Sequence, residues 1–153
     1  MCCALHASLK DARLFKKPLL SFFGLGFVRG GGTLTSAAVC LLFCLSPWTL
    51  IPLAAIALAG LFLCPTKPHD PRWVTTDEVA GQCIALLPPL LLGSDFWGVF
   101  AAFVLFRLFD VAKPPPIRAF QRFANPWGVY ADDIVAGGFA AAVTCALILL
   151  LLR

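Results

Sequence analysis

Charge is the scarcest resource in this chain. Asp, Glu, Lys and Arg make up 13% of its 153 residues, about half of the ~25% usual in a soluble domain. Apolar residues make up 60%, and the mean hydropathy is +0.89. A small domain is mostly surface, so an apolar excess of this size excludes an ordinary water-soluble fold. The expectation is an integral membrane protein.

Other absences narrow the function. The twelve basic residues are scattered, and the net charge is only +4. No basic run and no nucleic-acid motif occurs, so no nucleic-acid partner is expected. No pair of cysteines stands as CxxC, and neither His6 nor His69 is spaced with a cysteine as a zinc site requires. Of the seven cysteines (Cys2, Cys3, Cys40, Cys44, Cys64, Cys83, Cys145), four lie in or at the end of apolar runs and read as small hydrophobes, while Cys2-Cys3 is open between an acylation site and no role. The N-terminus lacks the pattern of a cleaved signal peptide. The glycine-rich stretch GLGFVRGGGTLTS, 24–36, fails the GxGxxG spacing and lacks the GK[ST] of a P-loop. It can still offer backbone N–H groups to a phosphate at a helix start.

What the chain has is long apolar runs broken by proline and short charged clusters. Gly30 to Thr66 carries no charge. As one helix it would be ~55 Å long, nearly twice the ~30 Å hydrocarbon thickness, so it must turn back. Ser46-Pro47 is the natural corner. This predicts spans over about 33–46 and 48–64. A third apolar stretch runs from Val79 to Gly93, interrupted by Pro88-Pro89. A fourth runs from Phe96 to Phe109 and a fifth from Ile134 to Leu152. Residues 19–28 are too short to span and suit an interfacial or re-entrant piece. The expected fold is therefore all-α: a polytopic membrane bundle of about four to five short helices.

Lys and Arg set the orientation. With five spans, eleven of the twelve basic residues share one side, which is then cytoplasmic; only Arg153 lies opposite. The acids sort the same way. Asp77-Glu78, Asp110 and Asp132-Asp133 fall at the cytoplasmic mouths of spans three, four and five, and Asp95 alone faces away.

Three segments concentrate this chemistry. In TTDEVAGQ, Glu78, Gly81 and Gln82 share one helical face. The plain alternative is a helix start, with Thr76 or Asp77 as N-cap. In FRLFDVAKPPPIR, Arg107 and Asp110 are i, i+3 partners and Lys113 follows. The plain alternative here is an Arg107–Asp110 ion pair. Pro114-Pro115-Pro116 is expected to end the helix and stiffen a loop. In ADDIVAGG, the plain alternative is Asp132 as cap of the fifth helix, which would explain one aspartate and not the pair, and Ala136, Gly137, Ala140 and Ala141 offer a smooth packing face. Carboxylates massed at one depth repel unless separated, protonated or neutralised by a cation. All-oxygen ligands suit a hard ion such as Mg²⁺, and nearby Arg107, Lys113 and Arg118 suit a phosphate.

The blocks DEVAG (77–81), FRLFDVAKPPPI (106–117) and DDIVAG (132–137), in this order, resemble the phosphatidylglycerophosphatase A family. The resemblance covers about residue 22 to about 150. It implies a membrane enzyme that removes the terminal phosphate of phosphatidylglycerophosphate with Mg²⁺ as cofactor. It implies catalytic positions at Glu78, Asp110, Lys113, Asp132 and Asp133, with Asp77, Arg107 and Arg118 in support. The family's N-terminal PGTxGS reads here as Gly31-Gly32-Thr33-Leu34-Thr35-Ser36, which keeps Gly32, Thr33 and Ser36 as phosphate-binding candidates. On this reading Glu78, Asp132, Asp133 and Asp77 hold the metal. Residues 1–18 form a basic cytoplasmic segment and 19–153 the membrane-embedded phosphatase domain, in a bacterial inner membrane with the active site cytoplasmic. The rival readings are a phosphatase of another lipid or isoprenoid phosphate, a transporter, and a non-catalytic scaffold.

Overall fold

The computed structural model describes residues 16–64, 73–93, 95–120 and 127–151. Among them all regular structure is helical. After a helical segment over 16–20, seven α-helices follow in order: α1 (Gly31–Leu45), α2 (Leu50–Leu63), α3 (Thr76–Ala85), α4 (Leu87–Leu92), α5 (Phe96–Ala112), α6 (Pro115–Phe120) and α7 (Trp127–Leu151). Short 3-10 turns at Leu25–Phe27 and Pro47–Thr49 precede α1 and α2. Most of the expected basic segment 1–18, Cys2-Cys3 included, lies outside the described residues. The five described cysteines form no disulfide, and Cys40, Cys64 and Cys83 are buried.

The proline punctuation mostly reads as expected. The chain turns at Ser46, which is extended, and Pro47 opens the next turn. The Val79–Gly93 stretch breaks at Leu86, two residues before the first of its paired prolines, which sit at the start of α4. The 114–116 prolines differ from expectation. They do not stiffen a loop; Pro115 opens α6, because the first helical positions need no N–H donor.

The larger correction concerns Asp132. The fifth helix does not begin there. It begins at Trp127, so both aspartates lie more than one turn inside α7. Only the apolar run starts at Ile134, and the polar turn before it is helical too. Asp132 is therefore no N-cap.

Two glycines bring α3 and α7 together. A Cβ on Gly81 would strike the Phe106 ring of α5 and the Asp133 carbonyl of α7. A Cβ on Gly137 would strike the Gly81 carbonyl. Only bare backbone permits this approach. Ala136 and Ala140, on the face read as smooth from sequence, are fully buried.

Contacts along the crossing fix its direction. The Tyr130 hydroxyl donates to Thr76 Oγ1 at 2.6 Å, Asp133 meets Asp77 and Glu78, and Gly137 meets Gly81. Thr76, Glu78 and Gly81 thus climb alongside Tyr130, Asp133 and Gly137, so α3 and α7 are parallel. Gly32 at the start of α1 abuts Glu78, and Gly60 near the end of α2 abuts Thr76 and Tyr130. The end of α5 meets α7 through Lys113 and Asp132. The starts of α1, α3 and α7 and the ends of α2 and α5 therefore gather at one end of the bundle.

Among the described residues one helical segment, Tyr130–Leu151, is long and apolar enough to cross a membrane on its own. Gly31–Leu45 and Pro47–Leu63 are apolar but shorter.

A carboxylate centre at one end of the bundle

The two faces of the DEVAG helix start separate its neighbours. Asp77 and Glu78 stand in the first turn of α3. Together with Asp133 they offer carboxylate oxygens that all lie within 4.8 Å of one another. Asp77 is 6% and Asp133 4% exposed. Such a set suits a hard cation, because oxygen ligands alone are offered and the like charges need neutralising. Glu78 Oε2 is buried and has no hydrogen-bond partner among the described residues. The donor set thus fits Mg²⁺.

The charges bear on Glu78, which lies just before the apolar stretch beginning at Val79. Burial pushes its carboxyl up from 4.5 to about 7, helped by Asp133 and Asp110 and opposed by a hydrogen bond with Asp77 and by Arg107.

The second half of the centre is a relay of ion pairs. Arg107 Nη1 meets Asp110 Oδ2 at 2.6 Å, so the ion pair weighed from the sequence exists. Lys113 Nζ lies 3.8 Å from Asp110 Oδ1 and donates to Asp132 Oδ2 at 2.5 Å. Burial works against the Lys113 ammonium. The hydrogen bond to Asp132 and the charges of Asp132, Asp133 and Asp110 outweigh it and raise its pKa. Lys113 closes α5 in a left-handed conformation, φ 41°, which is uncommon for a residue with a side chain. This turn aims its ammonium back across α7.

The adjacent aspartates therefore do different work. Successive residues on a helix point about 100° apart. Asp132 faces Lys113, and Asp133 faces Asp77 and Glu78. The sequence reading grouped Asp132 with the metal ligands, but it lies outside the three-carboxylate group and is held by a lysine.

The glycine-rich stretch contributes unevenly. A Cβ on Gly32 would strike the Glu78 carboxylate and come within 3.4 Å of Arg107 Nη1, so this glycine forms a wall of the centre. Ser36 is fully buried one turn deeper. Thr33 and Arg118 are exposed, and neither pairs with the acids among the described residues. The contact of Gly32 with Glu78 and Arg107 and the Tyr130–Thr76 bond escaped the sequence reading. Only the glycine's place in a helix-start motif hinted at the former.

Carboxylates able to share a cation, beside two paired cations at one end of an apolar helical bundle, define a phosphate-handling helical protein. Residues 19–148 match the phosphatidylglycerophosphatase A family, and the chain belongs to it. It is 34% identical over 133 residues to a putative phosphatidylinositol-3-phosphatase of Bacteroides thetaiotaomicron, covering 77% of this chain and 84% of the relative. It is 34% identical over 120 residues to phosphatidylglycerophosphatase A of Escherichia coli, covering 73% and 69%. It is 38% identical over 106 residues to phosphatidylglycerophosphatase A of Haemophilus influenzae, covering 64% and 63%. No solved structure matches.

Proposed function

We propose that the protein removes the terminal phosphate of phosphatidylglycerophosphate, leaving phosphatidylglycerol, with Mg²⁺ held by Asp77, Glu78 and Asp133. The family and two bacterial relatives carry that activity in their names. The observation that carries the site reading is the meeting of these three carboxylates beside the Arg107–Asp110 and Lys113–Asp132 pairs. When bound, Mg²⁺ supplies charge neutralisation at the phosphoryl oxygens and an ordered water. Arg107 and Lys113, each held by a carboxylate, offset charge on the phosphoryl oxygens as the phosphorus–oxygen bond to the glycerol breaks. Gly32 keeps a side chain out of the space next to Glu78 and Arg107. Over the whole reaction one water is divided between the products: its hydroxyl goes to phosphorus, which departs as inorganic phosphate, and its proton goes to the glycerol oxygen.

We read the chain as a polytopic protein of a bacterial cytoplasmic membrane, its carboxylate centre at the cytoplasmic face. Three features support this. Large apolar side chains are exposed along the helices, among them Leu41, Ile51, Phe62, Leu108 and Leu150. The four tryptophans divide between the ends: Trp73 and Trp127 lie near the carboxylates, and Trp48 and Trp97 at the far turns, as at two interfaces. In the five-crossing topology read from the sequence, eleven of the twelve basic residues fall on the side of the carboxylates.

A second reading, a phosphatase of another lipid phosphate, has one specific support: the Bacteroides relative is named a putative phosphatidylinositol-3-phosphatase. Phosphate release from purified protein against a panel of lipid phosphates, with and without EDTA, separates the two. Preference for phosphatidylglycerophosphate, lost with EDTA and restored by Mg²⁺, is expected. Equal turnover in EDTA sinks the cation assignment, and preference for an inositol lipid sinks the substrate.

A further inference from the structure

One turn beneath the carboxylates lies a polar layer that the reaction does not account for. Gln82 follows Glu78 by four residues on α3, and Ser36 follows Gly32 by four on α1, so each sits under its predecessor on the same face. Gly32 abuts Glu78, and deeper in the bundle Cys40 and Cys83 belong to one buried apolar cluster. Both helices start at the same end, so Ser36 and Gln82 each stand one turn deeper on the two helices that meet at Gly32 and Glu78. Both side chains are 0% exposed. Ser36 Oγ, Gln82 Oε1 and Gln82 Nε2 have no hydrogen-bond partner among the described residues, nor has Glu78 Oε2 above them.

Polar atoms so buried are paired with protein or with ordered water. An apolar residue would fill this layer more favourably if it were dry. A buried water typically makes about three hydrogen bonds. Here the Gln82 amide can donate to it, and the water can donate to Glu78 Oε2 and to Ser36 Oγ.

We propose that Ser36 and Gln82 line a buried water site beneath the carboxylate centre and act as positioning residues. Through that water they hold the Glu78 carboxylate in the orientation that receives the cation. The inference rests on the cation reading above and deepens it. Neither residue touches the phosphate.

Thermal unfolding of detergent-purified protein, followed by tryptophan fluorescence across a MgCl₂ series, tests it, because a cation that binds only the folded state raises its stability with concentration. Gln82→Leu and Gln82→Met should need roughly tenfold more Mg²⁺ for the same upward shift, the scale of a lost outer-shell contact. Ser36→Ala should shift the series in the same direction, and Ser36→Thr, which keeps the hydroxyl, should restore it. The cation-free unfolding temperature of the Gln82 variants should not rise. An unchanged Mg²⁺ response with a higher cation-free unfolding temperature, the behaviour of a dry layer, overturns the inference alone. Should Gln82→Leu not fold, the Met variant and the two Ser36 variants carry the same test. No Mg²⁺-dependent shift in the unmodified protein overturns the cation reading together with this inference.

Discussion

At the scale of single residues, the centre divides into a half that gathers negative charge and a half that balances it. Asp133 belongs to the first, packed against Asp77 and Glu78. Asp133→Asn keeps the shape and removes the charge. Phosphate release should fall by at least about a hundredfold, the loss seen when one well-placed electrostatic group is removed, while the circular-dichroism spectrum stays helical. Undiminished turnover would remove Asp133 from the site. Glu78 makes a pH prediction. Its pKa is raised in the folded protein, so folding favours its protonated form. That contribution is fully present below about 4.5 and is lost as pH rises through about 7. Cation-free protein should therefore lose stability over this window in denaturant titrations, and saturating Mg²⁺ should offset the loss, because the ionised form is the one that binds. Stability that climbs with pH in the cation-free protein would contradict the buried placement of Glu78.

Residue identity carried much of this centre and little of its wiring. Every acid of the cluster stands out in so apolar a chain, and the Arg107–Asp110 pair follows from i, i+3 spacing alone. The partition between Asp132 and Asp133 does not. It depends on α7 starting at Trp127, which moves both residues off the cap and into the helix body. Trp127-Gly128-Val129-Tyr130 carries no strong start signal of the kind that caps give. The apolar run at Ile134 was the more conspicuous boundary, and it marks a change of surroundings and not of backbone.

At the scale of elements, the crossing of α3 and α7 sets the geometry. Gly81 and Gly137 touch backbone to backbone, and the acids stand one turn before each of them. Gly137→Val should force the two helices apart, at a cost of about 1–3 kcal/mol for overpacking. It should also depress turnover, since Asp133 moves with its helix. Gly138 is the control: a Cβ there meets nothing within 4 Å. Gly138→Ala should be neutral or stabilising by up to about 1 kcal/mol, since alanine is the better helix former. Thermal unfolding and phosphate release on both variants check this. Equal behaviour of the two would show that the crossing does not position the acids. Small residues on one face were legible as a packing surface; which helix they met required the fold.

At the scale of the whole molecule, helix directions alternate so that carboxylates and cations reach one end. The five-crossing expectation and the observed gathering of helix ends agree on this polarity, although they rest on different facts: basic residues in one case, glycine contacts in the other. The chain reversals were legible because proline and glycine interrupt the apolar runs at Ser46-Pro47 and Gly93. Depth was less so, since α1 and α2 are shorter than a lone span needs. A reporter fused after Arg153 should register on the extracytoplasmic side, opposite one fused before Met1. Both on the same side would mean an even number of crossings and would detach the centre from the positive-inside argument.

The unbroken length of α7 gives the carboxylates an altitude as well as a neighbourhood. From Asp133 to Leu151 the helix rises about 27 Å, close to the ~30 Å hydrocarbon thickness of a bilayer. In the proposed membrane placement, with its far end at the opposite surface, the helix would work as a depth gauge that holds the acids at the level of the lipid phosphates. A rigid gauge cannot stretch, so bilayer thickness becomes a second variable in the reaction: in a much thicker membrane the same acids would sink below the headgroups they serve.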